Sequence, residues 1–136
     1  MSLSNLTIGI VAFNEEDRIE KAILSSKKIT NKILVIDGFS TDDTVNICQK
    51  LGATVLQNKF EGYCNQKNYM ISKCKTEWIL SLDADEEITE ELRKNIINTI
   101  NNKTNYTGFY LHRKTIFNDT QLNYMGNDWA LRLYRS

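Results

Sequence analysis

Asp83 and Asp85 stand two positions apart in "WILSLDADEE" (residues 78–87), where a mostly apolar run meets a cluster of carboxylates. An apolar run ended by charged residues is the pattern of a buried strand at the point where it leaves its sheet. While the chain stays extended, alternate side chains point the same way, so the two acids are pushed together. Such a pair costs free energy unless a cation or a shared proton relieves it. Mg²⁺ and Mn²⁺ prefer oxygen ligands and commonly take only one or two carboxylates, filling the shell with water and phosphate oxygens. A carboxylate pair without His or Cys is therefore the pattern of a metal shared with a phosphorylated substrate. The same run also reads as a solvated acidic turn before the next helix.

Other polar residues carry the same ambiguity. In "AFNEED" (12–17), Asn14 is placed to cap a helix whose positive end Glu15, Glu16 and Asp17 complement. In "DGFSTDDT" (37–44), Ser40 or Thr41 is a suitable cap, with Asp42 and Asp43 in the first turn. Asp37 precedes that cap, at a strand's end, where a carboxylate can accept hydrogen bonds from a base or a ribose. His112 is the sole histidine and has no second His or Cys at zinc-like spacing, which fits a structural or rim residue. Arg113, Lys114, Arg132 and Arg135 fit either solvated strand ends or positive charge near a diphosphate. The aromatic residues of "NYTGFYLHRKTIF" (105–117) are expected to pack the core.

The elements that must position these residues alternate. Residues 6–12 are an apolar run, 15–26 carry Ile19, Ala22 and Ile23 on one helical face, and "KILVID" ends at Asp37. Residues 42–51 place Val45, Cys48 and Leu51 at helical spacing before Gly52, a suitable stop, and "ATVLQ" (53–57) is a third strand. A helix over 62–74 sets Cys64, Lys67, Met70, Ile71 and Cys74 near one stripe, and "WILSL" is the fourth strand. This β-α-β-α-β-α-β order implies a mostly parallel sheet flanked by helices on both faces, with ligands at the carboxyl ends of its strands. Those ends are residues 12–15, 37–40 and 83–86. A helix capped by Thr89 follows to residue 100, with Leu92, Ile96, Ile97 and Ile100 facing inward. "GFYLHRKTIF" (108–117) and "WALRLYR" (129–135) then read as strands around a polar turn.

At 136 residues and 41% hydrophobic content the chain suits one domain with a genuine core. Basic and acidic residues balance at 17 each, so it lacks the basic field of non-specific nucleic-acid binding. Three cysteines, Cys48, Cys64 and Cys74, form no CxxC pair or disulfide framework, which fits a reducing compartment. No stretch approaches the roughly 20 apolar residues of a membrane span, and the N-terminus turns acidic too early for a signal peptide. A cytoplasmic protein is expected. The Asn-x-Thr triplets at Asn5, Asn102, Asn105 and Asn118 carry no chemistry without secretion.

Together, "IGIVAFNEEDRIEKAILS", "ILVIDGFSTDDTVNICQKLGATV", "GYCNQKNYMISKCKTEWILSLDADEEIT" and "DWALRLYR" resemble glycosyltransferase family 2 across essentially the whole chain. The "QKN...WILSLDADE" wording is similar to transferases of the lipopolysaccharide-core type. The resemblance implies a GT-A (Rossmann-like) α/β fold, a nucleotide-diphosphate-sugar donor such as a UDP-sugar, Mn²⁺ or Mg²⁺, and inversion at the anomeric carbon. The implied acceptor is a cell-envelope glycan or glycolipid, met at the inner face of the cytoplasmic membrane. By the same resemblance, Ala12, Phe13, Asn14 and Glu15 line the nucleoside pocket, Asp37 hydrogen-bonds the base, and Lys67 approaches the diphosphate. Asp83 sits near the ribose or the metal's water shell, and Asp85 is the direct metal ligand. The catalytic base falls to a later acid, Asp119 or Asp128; Asp128 opens "DWALRLYR" and is favoured, although Asn127 stands where the family carries a second acid.

Family members usually run to about 250 residues, so a fragment is expected: a nucleotide-binding core over 1–88 and the start of an acceptor-side region over 89–136. Two rivals stand beside this. One is a nucleotide-sugar-binding module without transfer. The other is a phosphatase like the haloacid dehalogenases, with Asp83 as nucleophile, against which Glu87 replaces that family's usual Thr or Val.

Overall fold

The computed structural model describes residues 2–114, 116–117, 120–121 and 128–136. Along the chain the elements are β1 (Leu6–Ala12), α1 (Ile19–Lys27), β2 (Ile33–Asp37), α2 (Thr44–Lys50), β3 (Thr54–Gln57) and α3 (Tyr63–Lys73). They continue with β4 (Trp78–Asp83), α4 (Glu90–Asn101), β5 (Gly108–Arg113), β6 (Ile116–Phe117), β7 (Thr120–Gln121) and β8 (Asp128–Arg135). The main sheet has the order β3-β2-β1-β4-β8-β5. β1 pairs in parallel with both β2 and β4, and β2 with β3, whereas β8 runs antiparallel to β4 and β5. The fold is α/β with a mostly parallel sheet flanked by helices, as expected.

Alternation along the central strands divides the interior in two. Ile8, Ile10, Ile33, Val35, Leu80 and Leu82 join Ile19 and Ile23 of α1, Cys48 of α2 and Ile96 of α4 in one apolar cluster. Leu34, Ile36 and Ile79 face the other way, against Met70 of α3. Covering on both faces is what demands unbroken apolar strands at the centre of the sheet. At Gly9 α3 lies close against β1: a Cβ there would stand 2.2 Å from Met70 Sδ.

Several local expectations are corrected. α1 begins at Ile19, its N-cap Arg18 makes no side-chain cap bond, and Asn14 instead takes a left-handed φ of 51°. α2 begins at Thr44, and its N-cap is Asp43, also without a side-chain bond, rather than Ser40 or Thr41. In both cases the polar side chains are committed to bonds between loops and are not available to cap. Thr89 does cap α4, accepting from the Leu92 N–H. The single strand expected over 108–117 is two: the β5 ladder has a bulge at Phe109/Tyr110 and ends at Arg113 opposite Asp128. A bulge bends and twists its strand, here at the outer edge of the sheet. That edge also leaves Tyr106 and Tyr110 exposed where core packing was expected, while Phe109 packs against the interior.

Candidate functional site

The carboxyl ends of β1 and β2 are fastened to each other. Gly38 donates its N–H to Ala12 O, and the Asn14 N–H donates to Ser40 Oγ at 2.8 Å. Asn14 Oδ1 accepts from the Thr41 N–H, the Glu15 N–H donates to Thr44 Oγ1, and the Glu16 N–H donates to Asp42 Oδ2. Glu16 Oε2 accepts from the Asp43 N–H. Asp37 anchors this set. Its carboxylate is fully buried and accepts from the Ser40 N–H at 2.9 Å, the Ser40 hydroxyl at 2.5 Å and Gln57 Nε2 at 3.3 Å. A base contact from Asp37 would require one of these donors to let go. Asp42 is lowered below the usual carboxylate range: desolvation opposes this, and hydrogen bonds from Thr44 and Glu16 outweigh it.

The second group lies where β4 ends. The ladder stops at Asp83, and Ala84 and Asp85 form a turn, so Asp85 does not continue the alternation expected of an extended chain. Asp83 faces Lys67 Nζ of α3 at 3.6 Å and Arg132 Nη2 of β8 at 3.2 Å. Arg132 is buried and also bonds Glu86 Oε1 at 2.9 Å and Ser81 O at 3.3 Å. Glu86 Oε1 in turn accepts from the Asp83 N–H at 2.7 Å, closing the turn on itself. Asp85 is half exposed, with Arg18 Nη1 4.0 Å away. Arg18 Nη2 lies 2.8 Å from Glu15 Oε2, a buried oxygen that among the described residues has no hydrogen bond of good geometry and is compensated by this ion pair.

Asp128 enters the same chain of charges. Its carboxylate meets Arg113 Nη2 at 2.7 Å, and Arg113 Nη1 lies 4.0 Å from Glu86. The Arg113 hydrogen bond holds Asp128 below the usual carboxylate range and raises Arg113 in return. His112 stacks on Trp129 at the exposed edge, ring centroids 5.0 Å apart. Asp119 lies outside the described residues. Cys48 and Cys74 are each pushed up to about 11, Cys48 by burial and then by the Asp37 charge, Cys74 by burial, so both are thiols at neutral pH and poor metal ligands.

Among the described residues no group of three or more His, Cys, Asp or Glu side chains could hold a metal ion by itself. Asp83 already carries two protein cations, whereas Asp85 presents an accessible carboxylate without a close hydrogen-bond partner among the described residues. That donor set fits a Mg²⁺ or Mn²⁺ ion delivered with a diphosphate, which needs one or two protein carboxylates, and not an all-protein cage.

The fold thus brings Lys67, Asp83 and Asp128 into one group of ion pairs and Glu15 and Asp85 into a second, around Arg18, with Ala12 and Asp37 at the ends of β1 and β2 and Phe13 and Asn14 in the loop after β1. Arg132 is one of the four basic residues that the sequence leaves as either solvated strand ends or charge near a diphosphate, and its burial against Asp83 and Glu86 carries no local signal, because Trp129 and Leu131 of the same run are exposed. The loop fastening by Ser40, Thr41 and Thr44 was missed, because hydroxyls near helix starts read first as caps.

The model described as Glycosyl transferase family 2 matches residues 7–135. An uncharacterized glycosyltransferase of Rickettsia typhi is 44% identical over 94 residues, covering 69% of this chain and 32% of the relative. The lipopolysaccharide core biosynthesis glycosyltransferase LpsC of Rhizobium meliloti is 29% identical over 94 residues, 65% of this chain and 34% of its own. The chain spans about a third of the length of these curated relatives. Among solved structures, S. aureus TarS 1-349 in complex with UDP-GlcNAc aligns with a TM-score of 0.62 at 24% identity, over 71% of this chain and 31% of that one. Glucosyl-3-phosphoglycerate synthase from Mycobacterium tuberculosis, in complex with Mn²⁺, UDP and glucosyl-3-phosphoglycerate, aligns at 0.55 and 21% identity, over 61% and 35%. These likenesses establish the GT-A fold.

Proposed function

The chain belongs to glycosyltransferase family 2, and from that premise we propose that it forms the donor half of an inverting transferase moving a sugar from a nucleoside diphosphate, UDP by preference, to a hydroxyl. Residues 1–88 serve as its nucleotide-binding core and 89–136 as the start of its acceptor side. The acceptor is a cell-envelope glycan or glycolipid, in keeping with the likeness to LpsC, and is reached from the cytoplasmic side of the membrane. No helix among the described residues is long and apolar enough to cross a membrane.

One observation carries this proposal: Lys67 and the turn bearing Asp83 and Asp85 stand on the strand-end rim together with the fastened 12–15 and 37–41 loops. Phe13, Asn14 and Glu15 border the nucleoside, with Asp37 acting through Ser40. Lys67 meets the diphosphate, and Asp85, with Asp83 beside it, would hold a divalent cation. When bound, that cation supplies Lewis-acid neutralisation of the departing diphosphate. The acceptor oxygen forms its bond to the anomeric carbon as the bond to the phosphate oxygen breaks, the electron pair leaving with the diphosphate. The hydroxyl proton passes to a carboxylate on the attacking side, a role we give to Asp128. Its pairing with Arg113 keeps it ionised but lowers its appetite for the proton. That pairing also favours the second possibility, a sugar-nucleotide-binding module without transfer.

Incubation with a panel of sugar nucleotides, Mn²⁺ and envelope acceptors, analysed for free nucleoside diphosphate and glycosylated product, decides between them. Metal-stimulated UDP binding without product supports the binding module, and absence of nucleotide binding refutes both.

A further inference from the structure

Beside the ion pairs lies a feature they do not use. Phe13, Phe60 and Tyr63 keep 51%, 40% and 69% of their surface in water, while Trp78 is buried almost completely. The Phe60 and Tyr63 rings meet edge to face with centroids 5.1 Å apart. Gly38 lies between Phe60 and Phe13: a Cβ on it would come within 3.3 Å of Phe60 Cβ and 3.4 Å of Phe13 Cδ2. The missing side chain lets rings from two loops lie against one peptide. The patch is therefore contributed by the end of β1, the end of β2 and the entry to α3, and contiguous exposed apolar surface of this kind marks a binding site.

Its setting names the occupant. Tyr63 and Lys67 are four apart on α3, so they share a face with their Cβ atoms roughly 6 Å apart. Lys67 reaches the carboxylate of Asp83. A ligand spanning both positions is planar and apolar-faced at one end and anionic at the other. Asp37, next to Gly38, is buried and engaged by Ser40 and Gln57.

We propose that Phe60 and Tyr63 extend Phe13 into a stacking surface for the base of the nucleoside diphosphate, and that ring contacts hold the base while Asp37 acts only by fixing Ser40. The proposal rests on the nucleotide-sugar reading above and adds residues and a mode of recognition to it. Stacking on aromatic side chains is worth a loss of about 5- to 150-fold in affinity per ring removed.

The test is calorimetric titration of the chain with UDP and, separately, with inorganic pyrophosphate, both with Mg²⁺. Phe60→Ala, Tyr63→Ala and the double variant are compared with the parent, and thermal melts check folding; both side chains face water, so the fold should survive. UDP affinity should fall about 5- to 150-fold in each single variant and further in the double, with pyrophosphate affinity unchanged. A double variant that binds UDP within about twofold of the parent overturns the proposal, as does an equal loss for pyrophosphate. Self-association of the parent that the double variant loses, with UDP affinity intact, assigns the patch to a second copy of the chain and also overturns it. A parent that binds pyrophosphate but no nucleoside diphosphate more tightly refutes stacking alone, whereas a parent that binds neither refutes the nucleotide-sugar reading itself.

Discussion

Replacing Arg132 by Met should destabilise the fold by an amount set by what its guanidinium leaves behind. The group is buried and bonds Glu86 through both carboxylate oxygens, Asp83 Oδ2 and Ser81 O. Removing one partner of a fully buried ion pair costs about 3–5 kcal/mol. Here the orphaned carboxylates keep 37% and 22% of their side-chain surface in water, and Asp83 retains Lys67, so solvent screening reduces the expected cost to about 2 kcal/mol. For a domain of this size that is a fall of roughly 8 °C in Tm. Arg132→Lys keeps the charge and loses the fork that reaches two carboxylates and a carbonyl, and should recover about half of the loss. Urea denaturation followed by circular dichroism reads the effect as a shift in midpoint at constant slope. A double-mutant cycle with Glu86→Gln isolates the pair. A cost below about 0.5 kcal/mol for Arg132→Met, the level of an ordinary surface substitution, would refute the claim that this residue fastens the Asp83 turn.

Asp85→Ala should remove most of the Mn²⁺ stimulation of UDP affinity and leave Tm nearly unchanged, because Asp85 is half exposed and 4.0 Å from its nearest cation; equal stimulation in mutant and parent counts against this carboxylate as a ligand. In the full-length enzyme, Asp128→Asn should abolish transfer, read as glycosylated product, with UDP and metal affinity nearly unchanged; substantial turnover would remove Asp128 from the role of base. Because Arg113 lowers the folded pKa of Asp128, the charged pair persists above the ordinary carboxylate range and is lost only as pH falls through the lowered value. Arg113→Ala should therefore move the Asp128 titration upward in a carbon-detected NMR experiment, and an unmoved titration would contradict the pairing. Gly9→Ala should cost about 1–3 kcal/mol by overpacking, since its Cβ would stand 2.2 Å from Met70 Sδ; thermal melts in a Met70→Ala background should show a smaller increment.

The alternation of apolar strands with helices was legible because burial on both faces leaves a signal that spans whole segments, and Leu6–Ala12, Ile33–Asp37 and Trp78–Asp83 are observed where it placed them. The polar rim was legible in location only. Asn14 and Ser40 have the identity and spacing of helix caps, and a single sequence cannot show that their partners lie 26 and 27 residues away in another loop. Phe39 is a sharper case, since a left-handed φ of 65° at a Phe has no composition signal. Arg132 was recognised as a cation, yet its partners Asp83 and Glu86 are 49 and 46 residues distant, and only the antiparallel placement of β8 beside β4 brings them together.

The acidic cluster at the end of β4 raised the question of what relieves its repulsion. The fold supplies protein cations first: Lys67 and Arg132 on Asp83, Arg132 and Arg113 on Glu86, Arg18 on Asp85 and Glu15, and Arg113 on Asp128. These ion pairs form two groups: Asp83, Glu86 and Asp128 balance Lys67, Arg132 and Arg113, whereas Glu15 and Asp85 share Arg18 alone, which leaves one negative charge in excess there. Folding is thereby satisfied, but the rim as it stands repels a ligand whose terminal phosphate alone brings a charge of about −1.5 to −2. On the proposed reading, a diphosphate is bound better when it brings positive charge of its own, and the carboxylate best placed to receive that charge is the one these ion pairs neutralise least, Asp85. The expectation follows that UDP alone binds weakly, and more weakly still as ionic strength falls and screening is withdrawn. With Mn²⁺ present the sign of that salt dependence should reverse. Titrations at low and moderate salt, with and without the metal, test this directly; strong metal-free binding that tightens at low salt would show that the rim carries more positive charge than these ion pairs supply.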